Sequence, residues 1–182
     1  MELGVVDIQG DVSEHVEILR KINVKVKLVR WVEDLKGLSG LLIPGGESTV
    51  IGSIMKKRGM DKKILESQIP IMGTCAGMIL ISEKVDGKEG LMPILHIDIT
   101  RNGYGSQRES FEAPIEFKKI GSFIGVFIRA PIVKSVRSGE ILAEYAGKPV
   151  AVREGNNIGL SFHPEIYGDP RIHQYFIDML SD

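Results

Sequence analysis

Three short apolar runs, residues 3–8, 41–43 and 69–72, each stop at a turn of small or polar residues and lead into a segment of helical periodicity. That alternation constrains the fold more than any other feature, because strands separated by helices pair in parallel and need cover on both faces. After the first run, Gln9-Gly10-Asp11 breaks the strand. Residues 12–22 then place Val16, Leu19 and Ile22 on one helical face, with Asp11 or Ser13 positioned to cap it. Residues 24–29 alternate as a strand should. The second apolar run ends at Pro44-Gly45-Gly46, and the following helix over 48–57 is terminated by Arg58-Gly59. The third runs into Gly73-Thr74-Cys75-Ala76-Gly77 and a helix over 78–83.

From Leu91 onward strands and turns take over, with strand patterns at 94–100, 115–117, 122–128, 141–145, 150–153 and 158–162. Tyr145-Ala146-Gly147-Lys148 and Glu154-Gly155-Asn156-Asn157 supply the turn chemistry of antiparallel hairpins. A helix over 170–180 closes the chain, with Asp169 as its cap and Pro170 at its first position. The pattern predicts an α/β three-layer sandwich: a mostly parallel central sheet flanked by helices, with antiparallel strands in the C-terminal half. No repeat or linker divides the sequence, so residues 1–182 read as one domain. A chain of that length can bury roughly 70% of the surface it exposes when unfolded.

Charge narrows the function. With 23 Lys and Arg against 24 Asp and Glu, the net charge of −1 offers no global attraction for nucleic acid or an anionic membrane. The longest charge-free stretch, 67–82, contains Pro70 and two glycines and falls short of the roughly 20 apolar residues of a membrane span, so a soluble protein is expected. Glu2 and Asp7 stand where a secretory signal carries positive charge, and the single cysteine, Cys75, excludes an internal disulfide. Both features fit a reducing cytoplasm. Zinc-type cysteine spacing, a phosphate loop and G-x-G-x-x-G are all missing, so neither a metal nor a nucleotide is expected.

The chemistry centres on Gly73-Thr74-Cys75-Ala76-Gly77, where a small-residue turn joins an apolar strand to a helix. This is the form of a nucleophile elbow with cysteine in place of serine, and its position at a helix start favours the thiolate. A nucleophile needs a base, and among His15, His96, His163 and His173 only His163-Pro164-Glu165 has a suggestive context, at the end of the 158–162 strand. In extended chain, residues i and i+2 project to the same side, and Pro164 holds the preceding residue extended. Glu165 can then accept from one imidazole nitrogen while the other faces the thiol, giving a Cys75-His163-Glu165 triad. His15 and His173, on predicted helices, and His96, in a strand, take structural or solvated roles. The backbone N–H of Ala76 and the glycine loop at Gly46 are candidate oxyanion donors.

With Pro44-Gly45-Gly46-Glu47-Ser48, the Cys75 elbow and His163-Pro164-Glu165 in this order, the sequence resembles the class I, triad-type glutamine amidotransferases. More narrowly it resembles glutaminase subunits of pyridoxal 5′-phosphate synthases. The narrower likeness rests on Gly4-Val5-Val6-Asp7-Ile8-Gln9-Gly10, on Gly46-Glu47-Ser48-Thr49, on Arg101-Asn102 through Ser106-Gln107 to Ser110-Phe111, and on Gly125-Val126-Phe127-Ile128-Arg129-Ala130-Pro131. The resemblance implies a flavodoxin-like glutaminase architecture and cytoplasmic hydrolysis of L-glutamine to L-glutamate and ammonia through a Cys75 thioester, without a cofactor. It also implies a hetero-oligomeric complex in which ammonia passes through a channel to a (β/α)8 barrel synthase subunit that makes pyridoxal 5′-phosphate, the vitamin B6 cofactor. Gly46, Glu47, Ser48, Arg101, Ile128 and Arg129 match the family's glutamine-contacting positions. Residues 102–105 and 166–170 depart from the pattern in places that bear on partner contacts rather than on the chemistry.

Other readings share parts of this signal. The glutaminase subunit of imidazole glycerol phosphate synthase has the triad but should lack the Arg101 and Arg129 segments. An elbow-cysteine peptidase or chaperone-like protein has no need of the Pro-Gly-Gly-Glu loop. A silent scaffolding module would not keep Cys75, His163 and Glu165 together.

Overall fold

In the computed structural model, which describes residues 1–104 and 110–181, the three apolar runs become β1 (Glu2–Val6), β3 (Gly40–Ile43) and β4 (Ile71–Thr74). With β2 (Lys25–Val29) and β13 (Asn157–Leu160) they form the parallel part of a seven-stranded sheet. Its strand order is β11-β12-β13-β4-β3-β1-β2, where β11 (Glu140–Tyr145) and β12 (Lys148–Glu154) add antiparallel pairs at one edge through the two anticipated turns.

The central strands β1, β3, β4 and β13 are largely apolar because both faces are covered, whereas β2 and β11 at the sheet edges carry exposed charges such as Lys25, Glu140 and Glu144. Side chains alternate across the sheet: Leu41 and Ile43 of β3 join one core cluster while Leu42 joins the other. One face is closed by α1 (Val12–Lys21) and α5 (Arg171–Ser181), through Val16, Leu19, Ile172 and Phe176. The opposite face packs on α2 (Ser48–Lys57), α3 (Met60–Ser67) and α4 (Ala76–Ile81), through Ile51, Met55, Ile64 and Leu80. A 3-10 turn, Val32–Leu35, leads into β3.

Outside this frame, β5 (Ser82–Val85), β6 (Lys88–Glu89), β7 (Leu95–Thr100) and β10 (Ile132–Val136) form a second sheet, ordered β10-β7-β5-β6. A hairpin of β8 (Ser110–Phe117) and β9 (Gly121–Ile128) stands separately. Among the described residues, no helix is long and apolar enough to cross a membrane.

Several local expectations need correction. The helix expected over 78–83 is α4, which starts two residues earlier and stops at Ile81; Ser82 turns extended, its hydroxyl donating to the Met78 carbonyl at 2.6 Å, and β5 pairs in parallel with β7. Helix α3 is a product of packing: Met60 and Ile64, four residues apart, bury one narrow stripe of an otherwise polar segment. The strand expected over 158–162 ends at Leu160, and α5 starts one residue late, with the Arg171 N–H donating to Asp169 Oδ1 at 3.0 Å. Strand β8 runs five residues longer toward the N-terminus than 115–117, because Ala113, Ile115 and Phe117 face inward while Glu112, Pro114 and Glu116 face out.

Every segment singled out for chemistry except the Arg101 and Ile128-Arg129 turns follows the C-terminal end of a parallel strand: Gln9–Asp11 after β1, Gly45–Ser48 after β3, Cys75 after β4 and His163 after β13. In open α/β sheets this edge, near the point where strand order reverses, is where ligands bind.

Candidate active site

Cys75 sits at the apex of the β4–α4 turn with φ 49° and ψ −103°, in the left-handed half of backbone space that non-glycine residues seldom occupy. The neighbouring sheet holds it there: the Cys75 N–H donates to the Leu160 carbonyl at 2.8 Å, and its own carbonyl accepts from Ile79 N–H at 3.1 Å. Glycine is required on both flanks by space alone. A Cβ on Gly73 would lie 2.6 Å from the Gly77 carbonyl carbon, and one on Gly77 would lie 2.0 Å from the Ile43 oxygen.

His163 is fixed from its backbone outward. Its N–H donates to the Val126 carbonyl at 2.8 Å, and its Nδ1 lies 2.6 Å from Glu165 Oε1. The pairing expected from the His-Pro-Glu spacing is present, although it forms at a turn past the strand end, where Gly168 N–H closes on the Glu165 carbonyl at 3.1 Å. Both side chains are almost sealed, with His163 4% and Glu165 3% exposed. A carboxylate can only accept, so Nδ1 carries the proton and Nε2 is left for the sulfur. Burial alone would lower the His163 pKa; hydrogen bonds to Asp11, Cys75 and Glu165, with the charge of Glu165, outweigh it and push the value up to about 12. The imidazolium is therefore strongly favoured, which suits a ring that must take and hold a proton from a thiol.

Asp11 is a site residue that sequence reading places only as a helix cap. It makes no side-chain cap bond to α1; its Oδ2 lies 3.1 Å from His163 Nδ1, within reach of the same proton that Glu165 accepts. Asp11, His163 and Glu165 group their ligand atoms within 4.8 Å, the spacing of a metal cluster. The shared Nδ1 proton accounts for that grouping through hydrogen bonding alone.

Cys75 and His163 open into a cavity of about 320 Å³ whose wall includes Gly46, Glu47, Ser48, Arg101, Ile128 and Arg129. All six proposed glutamine-contacting positions are thus brought together, although Arg101 follows β7 and Ile128 ends β9. The volume lies at the low end of small-ligand sites, roughly 300–1,000 Å³, which suits an amino acid. Glu165 lies behind His163 and does not reach the cavity; Ala76, next to Cys75, is buried and does not line it. Ser106-Gln107, part of the Arg101 motif, and Gly105 lie outside the described residues.

The glycine loop is anchored by Gln9, whose Oε1 accepts from Glu47 N–H at 2.7 Å and would be met at 2.5 Å by a Cβ on Gly46, where φ is 153°. Glu47 caps α2, accepting from Val50 N–H at 3.3 Å and from the Thr49 hydroxyl. The Thr49 hydrogen bond is the first cause holding its carboxyl below the usual range, and the Arg101 charge adds to it. A carboxylate and two arginines therefore share the wall of one small cavity, complementary to a zwitterion.

His15 and His173, read from the sequence only as structural or solvated, are fully buried behind His163 and Glu165. A signal for both exists: His15 shares the apolar face of α1 with Leu19, four residues on, and His173 shares that of α5 with Phe176 and Ile177.

A model of the SNO glutamine amidotransferase family matches residues 5–182. A relative from Methanocaldococcus jannaschii, pyridoxal 5′-phosphate synthase subunit PdxT, is 47% identical over 181 residues, covering 98% of this chain and 97% of its own. The protein of the same name from Thermoplasma acidophilum is 44% identical, covering 99% of this chain and 93% of its own. Among solved structures, one described as a glutamine amidotransferase superposes with a TM-score of 0.93 at 40% identity, covering 99% of both chains. A second, a glutamine amidotransferase from Thermotoga maritima, has a TM-score of 0.64 at 16% identity over 99% of this chain and 83% of its own, a likeness of fold.

Proposed function

The chain belongs to the SNO glutamine amidotransferase family, and we infer that it is the glutaminase subunit of a pyridoxal 5′-phosphate synthase, hydrolysing L-glutamine to L-glutamate and ammonia for a synthase partner. One observation carries the chemistry. Cys75 and His163 open onto the same amino-acid-sized cavity, and Glu165 grips the far side of the imidazole at 2.6 Å.

The Cys75 sulfur, having already given its proton to His163 Nε2, attacks the side-chain amide carbon of glutamine. The backbone N–H groups of Gly46 and Ala76 hold the resulting oxyanion. His163 then returns its proton to the departing nitrogen, the carbon–nitrogen bond breaks, and ammonia leaves a thioester on Cys75. Water deprotonated by His163 attacks that thioester; the carbon–sulfur bond breaks, the sulfur regains a proton, and glutamate departs. Glu165 keeps the imidazole in the Nδ1–H tautomer through both halves. Glu47 faces the substrate ammonium and the arginines its carboxylate, while Ser48 and Ile128 line the path of the side chain.

Neutral water protonates free ammonia and ends its nucleophilicity, a physical reason to pass it through a channel to a barrel-type synthase subunit inside one cytoplasmic complex. Residues 1–182 act as one glutaminase domain in that assembly. The test is ammonia release from glutamine by the chain mixed with the synthase subunit, compared with Cys75→Ala. The variant should lose turnover by at least about 10³-fold, the scale of losing a covalent nucleophile. Turnover that survives the substitution would remove the thioester mechanism.

A further inference from the structure

Behind the triad lies a line of polar groups that the mechanism above does not use. His15 on α1 and His173 on α5 are both fully buried, and His15 Nδ1 lies 2.8 Å from His173 Nε2. The other nitrogen of His15, Nε2, lies 3.2 Å from Thr74 Oγ1 and 3.4 Å from Glu165 Oε2. Thr74 immediately precedes Cys75, and Glu165 Oε1 is the oxygen already bound to His163. Two helices, the elbow and the triad carboxylate therefore meet at one imidazole.

The proton positions follow from what each neighbour can accept. Oε2 belongs to a carboxylate, and among the described residues no donor meets it in full hydrogen-bond geometry. A bare Nε2 lone pair facing that oxygen would be repulsive, so Nε2 of His15 carries hydrogen and points it toward Oε2 and the threonine oxygen. Nδ1 of His15 is then an acceptor, which fixes His173 as the Nε2–H tautomer and leaves its buried Nδ1 as an acceptor without a partner. Burial pushes both rings below their ordinary pKa, His173 to about 4, so each is neutral and carries one donor and one acceptor. Packing alone does not account for the pair. Two imidazoles in a core, one nitrogen unpaired, are costlier than two apolar side chains of similar size.

A hold on Oε2 has a use because His163 Nδ1 has two carboxylates within reach, Glu165 Oε1 at 2.6 Å and Asp11 Oδ2 at 3.1 Å. The one that is rigidly placed decides where the ring points. We propose that His15, set in its Nε2–H tautomer by His173, is a positioning residue that anchors the rear oxygen of Glu165 and thereby keeps the His163 imidazole aimed at Cys75. Removing it frees the glutamate and lets the imidazole drift toward Asp11, while the substrate-contacting wall is untouched.

This rests on the triad reading above, and the variants separate the two. Glutamine carries its amide nitrogen close to the place of an imidazole Nε2, facing Glu165; asparagine carries its own close to the place of Nδ1, facing His173. Both keep the core polar, so His15→Gln and His15→Asn are compared with wild type in complex with the synthase subunit, by steady-state ammonia release and by thermal melting. His15→Asn should lose 10- to 100-fold in kcat with KM within threefold, and His15→Gln should recover to within about fivefold of wild type. The proton shared by His163 Nδ1 and Glu165 should keep its low-field NMR position in His15→Gln and move in His15→Asn. Activity that follows asparagine rather than glutamine, or equal activity in both, overturns the proposal; so does equal loss of folded protein in both, which would assign His15 to packing. A wild-type complex with no Cys75-dependent turnover would instead sink the triad reading itself.

Discussion

The glycine loop passes so close to His163 that one methyl group at Gly45 should slow turnover sharply without unfolding the protein. A Cβ there would lie 2.4 Å from His163 Cε1, 3.1 Å from its Nδ1 and 3.0 Å from Asp11 Oδ2. Carbon atoms settle at about 3.5–4.0 Å, so the imidazole must retreat by about 1 Å. Glu165 Oε1 holds the Nδ1 side of the ring at 2.6 Å, so a retreat lengthens or bends that hydrogen bond. A displacement of about 1 Å in a catalytic group costs about 10²-fold in rate, or about 2.7 kcal/mol of barrier. The stability cost is smaller. Gly45 does not have a positive φ, so alanine fits its backbone and gains about 0.4–1 kcal/mol from a less flexible unfolded chain, against about 1–3 kcal/mol for overpacking. Gly45→Ala in the synthase complex should therefore show kcat down about 100-fold and a Tm lowered by less than about 10 °C. Alkylation of Cys75 by iodoacetamide, which needs the base but no oxyanion hole, should slow in parallel. A kcat within threefold of wild type would refute the argument from crowding. Slow turnover with normal alkylation would relocate the damage to the oxyanion donors.

Acid should loosen the fold through the buried histidines. The His173 pKa is lowered by burial from 6.5 to about 4, so the stability it contributes is present above pH 6.5 and is lost as pH falls toward 4. Urea unfolding should show wild type losing about 2–3 kcal/mol more than His173→Leu between pH 7 and 4.5, at about 1.4 kcal/mol per pH unit; equal losses would contradict the assignment. On the cavity wall, Arg101→Gln should raise KM for glutamine roughly 10- to 100-fold with kcat nearly unchanged, the scale of one charge-assisted hydrogen bond. An unaltered KM would mean that Arg101 stands on the wall without touching substrate.

What the sequence discloses about this site follows the range of each interaction. The elbow is legible because its constraint is local: Gly73 and Gly77 exclude side chains within a few residues of Cys75. Helix α2 is legible to the residue because the Pro44-Gly45-Gly46 loop before it and the Arg58-Gly59 stop after it are both local signals. The His163–Glu165 pairing is likewise two residues wide, so its spacing predicts it even though the backbone turns where an extended strand is expected. Asp11, His15 and His173 fail this test. Asp11 meets His163 only once β1 and β13 share a sheet, and the roles of His15 and His173 exist only once α1 and α5 lie on one face of it, bringing positions 158 residues apart to 2.8 Å. The end of α4 fails for a similar reason, since β5 is extended by its pairing with β7, which no pattern within residues 78–83 can announce.

Cys75 and His163 hang from β4 and β13, which are direct neighbours, and the Cys75 N–H bond to Leu160 sews one strand to the other just past their ends. Their separation is thereby inherited from the pitch between adjacent strands, about 4.8 Å in any sheet. A lattice constant of protein architecture thus sets a backbone spacing that a hinge or clamp would otherwise have to set. The corollary is a vulnerability: a distant change that alters the twist between these two strands would surface as lost reactivity in a protein that still melts normally.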